Sequence, residues 1–219
     1  MAQMKLMQRF INLYNNVISE KVYIPAIDKM IKRDELLEWE KNGRPLPPPH
    51  VYKENVVREY ARKYGCEYFV ETGTYLGDMV RSQISSFKVV SSVELSEELY
   101  NRAKRLFKRY NNVRMYQGDS TKKLSQMVDD LPQKEHILFW LDGHYSEDIT
   151  ARGDKDTPIM EEMDCLLNSV SNCVILIDDA RCFLGKNDYP TLEYLKSYVE
   201  DKRSIEWSVE NDIIRIILL

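Results

Sequence analysis

From residue 53 onward the chain alternates between two hydrophobic patterns. Short apolar runs recur at 67–71, 88–94, 113–117, 136–142 and 173–178. Between them lie stretches at 53–64, 77–86, 96–110, 120–130, 157–169 and 190–201, where apolar residues return every three or four positions. The longer stretches predict helices with one buried stripe, and the short runs predict strands buried on both faces. Alternation of this kind implies a parallel sheet covered by helices on both sides. At the end of the chain IEWSV and IIRIILL flank a polar END, which predicts an antiparallel hairpin. The expected fold is therefore α/β, a doubly wound, seven-stranded, mostly parallel sheet with a terminal hairpin.

The first fifty residues follow a different pattern. Residues 1–42 predict two amphipathic helices, one with Leu6, Phe10, Leu13, Tyr14 and Val17 on its stripe. Ile27, Met30, Ile31, Leu37 and Trp39 mark the second. NGRPLPPPH, residues 42–50, cannot continue a helix and favours a stiff polyproline connector. The expected division is a helical arm and connector at 1–50 and a catalytic-sized domain at 51–219. An apolar stripe on the arm must be covered. It could cover a ligand cleft or pack on its own domain, or a second copy could cover it, making a homo-oligomer through the N-terminal helices.

Composition narrows the function. The 219 residues carry a net charge of −4 with acids and bases interspersed, so nucleic acid is not an expected partner. Cys66, Cys165, Cys173 and Cys182 form no C-x-x-C pair, and they read as reduced thiols of a cytoplasmic protein. The start lacks a signal-peptide apolar core. IIRIILL is too short to span a bilayer and contains Arg215, so no membrane insertion is expected.

The chemistry concentrates at the predicted strand ends. YFVETGTYLGD, residues 68–78, runs from an apolar strand into Glu71, a turn at Gly73 and a new helix at Gly77. Gly73 suits close approach of a ligand to the backbone, and Gly77 suits packing of the helix against the strand. A carboxylate at that tip repels a pyrophosphate but suits a cationic amino group. Glu94 ends the next strand, 17 residues after Gly77, where a carboxylate can accept hydrogen bonds from both hydroxyls of a ribose. G-x-G-x-x-G, the usual mark of an NAD site, is absent.

This combination resembles the class I S-adenosylmethionine (SAM) methyltransferases over residues 53–219. The resemblance implies that Glu71, Thr72 and the Gly73 turn hold the amino-acid end of SAM. It places Gly77 at the start of the following helix and gives Glu94 the ribose. Asp119 would accept from the adenine amino group, with Ser120 capping the next helix. Asp119 before a helix also suits an N-cap, and Glu94 before Ser96 and Glu97 leaves the same alternative open.

Two further tips carry acids. ILFWLDGHYS, residues 137–146, delivers Asp142, Gly143 and His144; VILID delivers Asp178 and Asp179, followed by Arg181. Clustered carboxylates need a cation, and hard oxygen ligands suit Mg²⁺ or Mn²⁺ rather than Zn²⁺. The Asp-Gly-x segment and the Asp-Asp pair resemble the metal-dependent sugar O-methyltransferases. That resemblance implies Asp142, Asp178 and Asp179 as metal ligands and a general base two residues after Asp142. Here that residue is His144, where those relatives place Asp; imidazole remains a competent base near neutral pH. The polar stretch after His144 reads as a lid over the acceptor, with Tyr145, Arg152 and Lys155 as contacts. The acceptor would be a small molecule or glycan bearing a hydroxyl. N-methylation is the weaker alternative, because the chain has Asp-Gly-His-Tyr where amino-group enzymes commonly show (Asp/Asn)-Pro-Pro-(Tyr/Phe). A non-catalytic SAM-fold interaction module is the reading from another class.

Overall fold

The computed structural model describes residues 25–143 and 157–219. The first expected helix of the arm lies outside the described residues, as do His144 and the loop with Tyr145, Arg152 and Lys155. The chain divides into two compact units, Met1–Tyr52 and Lys53–Leu219.

In the first unit helix α1 spans Pro25–Lys41. Ile31 and Trp39 are buried on it, but Leu37 is 56% exposed. Residues two apart on a helix are turned by about 200°, so Leu37 cannot share a stripe with Trp39. The connector folds back instead of extending. Trp39 Nε1 donates to the Pro45 carbonyl at 2.7 Å, and its ring meets Tyr52 at 4.8 Å. The Arg44 guanidinium stands 5.7 Å over the same indole. Helix α2 (His50–Tyr64) follows.

The second unit continues as β1 (Tyr68–Thr72), α3 (Asp78–Gln83), β2 (Val89–Glu94), α4 (Glu97–Phe107), β3 (Val113–Gln117), α5 (Ser120–Asp129) and β4 (Ile137–Leu141). Then come α6 (Ile159–Ser169), β5 (Cys173–Ile177), a 3₁₀ turn at Ala180–Cys182, α7 (Leu192–Glu200), β6 (Ile205–Glu210) and β7 (Ile213–Leu218). The sheet runs β3-β2-β1-β4-β5-β7-β6. Strands β1 to β5 are mutually parallel, whereas β7 is antiparallel to both β5 and β6. The hairpin turns at Asn211 and Asp212, both with positive φ, as a two-residue loop between twisted strands requires.

Strands β1, β2, β4 and β5 are buried at every residue. Strand β3 departs from the expected pattern: at one edge of the sheet, it is only half-buried, and Arg114 and Tyr116 interrupt its apolar run. Phe69, Leu138, Phe139, Trp140, Leu124, Met163, Leu166 and Ile175 fill the core on both faces.

Strand order reverses between β1 and β4, which opens a crevice at the carboxyl ends of the strands. The register decides what lines it. Thr72 lies opposite Val93 and Leu141, and Leu141 lies opposite Ile177. Glu71, Glu94, Asp142 and Asp178 therefore emerge along a single edge.

Candidate active site

Beside the switch point, Glu71 is 2% exposed at the tip of β1. Its Oε2 accepts from Ser92 Oγ at 2.5 Å, and Ser92 Oγ in turn lies 2.6 Å from Thr74 Oγ1. Burial drives the Glu71 carboxyl well above its ordinary range; the Ser92 hydroxyl opposes this, while Asp142, Glu94 and Asp78 add to it. Glu94 is tied differently. Its two oxygens accept from the backbone amides of Tyr75 (2.8 Å) and Ser96 (2.9 Å), joining the turns after β1 and β2. Burial raises its pKa, against the pull of the Ser96, Tyr75 and Leu95 amides. A carboxylate has about four acceptor positions, so a diol can still bind there.

The two glycines of the first turn each face a close neighbour. Gly73 has φ +84, and a Cβ there would meet the backbone oxygen of Asp142 at 2.3 Å. The β4 turn thus makes a close approach to Gly73. Gly77 has φ +83, and its Cβ would meet the Phe107 ring at 2.8 Å. It packs the turn against α4, not against the strand. At the β3 end Asp119, not Ser120, is the N-cap of α5: its Oδ1 accepts from Thr121 N (2.9 Å) and Thr121 Oγ1 (2.7 Å). Burial pushes its pKa up, but those bonds and Lys122 outweigh it and hold the carboxylate below its ordinary value.

Asp142 follows β4, its amide donating to the Thr72 carbonyl at 3.1 Å. The Asp178 amide donates to the Leu141 carbonyl at 3.1 Å, which sets the two aspartates side by side. Asp178 is 4% exposed and Asp179 is 5% exposed. Asp179 adopts φ 57, an uncommon conformation for a non-glycine residue and one often stored at functional sites. Its Oδ1 accepts from Arg181 Nη1 at 2.7 Å, and Arg181 also pairs with the buried Asp212 of the β6–β7 hairpin.

Lys53, on α2, supplies the feature that the sequence did not disclose. Its Nζ donates to Asp178 Oδ2 at 2.5 Å and lies 3.8 Å from Asp179 Oδ1. Burial favours the neutral amine, but Asp178, with Asp142 and Asp179, outweighs it and holds the pKa above the ordinary lysine value. Burial and Asp142 push Asp178 up in turn, with Lys53 opposing. Among the described residues no group of three His, Cys, Asp or Glu side chains is arranged to hold a metal ion. The expected ligand set of Asp142, Asp178 and Asp179 does not fit one as it stands: an ammonium already occupies Asp178 Oδ2 and a guanidinium Asp179 Oδ1.

A second unforeseen residue is Glu162 on α6, 1% exposed. It lines a small pocket with Asp142, Gly143, Thr157, Asp178 and Tyr189. Burial raises its carboxyl to about 7; the nearby Ser120 and Thr72 hydroxyls temper the rise, and the Asp119 and Asp142 charges add to it. Glu162 Oε1 and Thr72 Oγ1 nevertheless have no hydrogen-bond partner of good geometry among the described residues. The sequence did carry a signal. Glu162 falls three residues after Ile159 and four before Leu166, on the buried stripe of its own helix.

No family model matches the chain, and no curated protein matches it in sequence. Solved structures do match in shape. The O-methyltransferase TomG from Streptomyces achromogenes, involved in tomaymycin synthesis and bound to SAM, superposes with a TM-score of 0.57 at 12% identity, over 100% of this chain and 99% of its own. An O-methyltransferase from Bacillus cereus with S-adenosylhomocysteine (SAH) gives 0.54 at 13% identity, over 94% and 95%. The SAH-bound methyltransferase PaMTH1 from Podospora anserina gives 0.54 at 16% identity, over 90% and 97%. The chain has the seven-stranded Rossmann-like fold of these methyltransferases.

Proposed function

We propose that the protein is a SAM-dependent O-methyltransferase acting on a hydroxyl of a sugar, a glycan or another polyhydroxylated small molecule. One observation carries the reading: carboxylates converge at the carboxyl ends of β1, β2, β4 and β5, on both sides of the strand-order switch, buried except for the half-buried Asp142 after β4. That edge is where an open α/β sheet takes its ligand.

The donor set fits SAM. Glu71, with Thr72 and the Gly73 turn, would hold the cationic amino group; Glu94 would hold the ribose diol, and Asp119 the adenine edge. SAM supplies a methyl group already activated on a positive sulfonium, so the protein needs no covalent intermediate. The chain's task is orientation and proton removal. Asp142, between Glu71 and Asp178, would orient the acceptor hydroxyl. His144, two residues further on, would take its proton as the new O–C bond forms. No step is assigned to a divalent metal, because Lys53 already balances Asp178.

Thermal unfolding tests the cofactor. At about a hundred times its dissociation constant, SAM should stabilise the fold by about 2.7 kcal/mol. For a domain of this size that is a rise in Tm of about 5–11 °C. A shift with NAD and none with SAM would overturn the reading. Radiolabelled SAM with a panel of polyols and oligosaccharides then tests the acceptor class.

A further inference from the structure

We infer that Lys53 is the built-in cation of this site, holding the Asp178–Asp179 pair and the acceptor oxygen where a divalent ion would otherwise stand. The inference deepens the methyl-transfer reading and rests on it.

Three observations carry it. Lys53 Nζ lies 2.5 Å from Asp178 Oδ2 and 3.8 Å from Asp179 Oδ1, so one ammonium serves two adjacent buried carboxylates. The Lys53 side chain is itself only 14% exposed. A cation of that burial is held by its partners rather than by water. Arg181 Nη1 takes Asp179 Oδ1 at 2.7 Å, so the second carboxylate is also committed to a protein cation. Lys53 and Arg181 thus hold the two carboxylates that a hydrated Mg²⁺, which gives up its waters reluctantly, would have to recruit.

The geometry also gives Lys53 something to do. An ammonium has three N–H donors. Asp178 takes one and Asp179 lies near a second, which leaves a donor for an acceptor hydroxyl on the Asp142 side. Positive charge beside that oxygen favours its ionisation as the proton leaves, an effect magnified where water is excluded. Lys53 remains protonated throughout and donates no proton to the products.

The test is a Mn²⁺ titration followed by electron paramagnetic resonance, on chelator-stripped protein with SAH present. Wild type should bind no Mn²⁺ up to the millimolar range. Lys53→Met should bind at least tenfold more tightly, because Asp178 and Asp179 lose their ammonium. Lys53→Gln, which keeps an amide donor toward Asp178, guards against misfolding of the first variant and should behave the same way. Stoichiometric Mn²⁺ binding by wild type overturns the inference. Silence from wild type and both folded variants also overturns it, since Lys53 would not then be what keeps the ion out. The SAH-induced rise in Tm is read on the same samples. Its absence in wild type defeats the cofactor reading, whereas Mn²⁺ binding with the rise intact defeats only the role of Lys53.

Discussion

The two halves of the active edge treat their acids in opposite ways. On the β1–β2 side Glu71 and Glu94 are held by a hydroxyl and by backbone amides, none of them a cation. On the β4–β5 side Asp178 and Asp179 are held by Lys53 and Arg181. Burial raises the pKa of Glu71, Glu94 and Asp178 alike, but only at Asp178 does a cation oppose the rise. A carboxylate without one gains most from a cationic ligand. A carboxylate already paired with an ammonium gains little from another cation and is better placed to orient a neutral one. Under the proposed function, the difference suits the cationic donor to one half and the uncharged hydroxyl to the other.

The halves touch at Gly73, and the most damaging single change should fall there. Gly73→Ala places a methyl 2.3 Å from the Asp142 carbonyl oxygen at a φ of +84. The left-handed conformation and the forced backbone shift together cost about 2–5 kcal/mol. Chemical denaturation should show the loss, and any folded remainder should be impaired in both SAH binding and turnover. A near-neutral Gly73→Ala would mean that the β1 and β4 turns move independently, and the comparison would lose its hinge.

Next in size is Glu162, whose carboxyl is raised from an ordinary value of 4.5 to about 7. The folded protein holds this proton more tightly than the unfolded chain does. The resulting stability is fully present below pH 4.5 and is lost as pH rises through 7. The loss is roughly 3 kcal/mol at its largest. Glu162→Gln removes it, so the variant should melt above wild type at pH 8 and converge with it near pH 4.5. A variant that melts lower at pH 8 would show the Glu162 carboxylate held by a cation, like its neighbours at Asp178 and Asp179.

What was legible in the sequence follows the same divide. Glu71 and Glu94 end apolar runs within a single βαβ unit, so local pattern was enough to bring both to one end of adjacent strands. Lys53 stands 125 residues from Asp178, and nothing on α2 distinguishes it from a solvated lysine. Periodicity shows which face of a helix is buried, not what that face meets. Glu162 was readable in principle, because it occupies a buried phase of α6. Gly73 was read as a position that allows close approach to the backbone, but the neighbour it meets, the Asp142 carbonyl, depends on how β1 and β4 pair. Leu37 and the half-buried β3 are failures of the opposite kind, in which an apolar run outweighed helix phase and sheet position.

Glu71 offers a sharper test of the uncompensated half. Burial keeps its carboxyl protonated further up the pH scale than usual, whereas a cationic amino group needs the carboxylate. SAH carries that amino group too. Its affinity should therefore rise with pH as Glu71 ionises and fall as pH drops. Glu71→Gln should weaken SAH about tenfold or more, as expected for a hydrogen bond to a charged group, and should flatten the pH profile. Calorimetric titration at several pH values reads both. Equal affinity with an unchanged profile would place the amino group elsewhere.

The smallest effect belongs to Asp119, where capping and ligand roles overlap. Its Oδ1 already receives the Thr121 amide and hydroxyl, so Asp119→Ala should cost about 1 kcal/mol through the lost cap alone. Asp119→Ser separates the two roles, because serine caps nearly as well but ends its reach one atom sooner. If Asp119 only caps α5, the serine variant should keep both the Tm and the SAH affinity of wild type. If it also receives the adenine amino group, Tm should hold while SAH affinity falls several-fold. Adenosine alone should then lose affinity by the same factor, since the contact is to the base rather than to the amino-acid end.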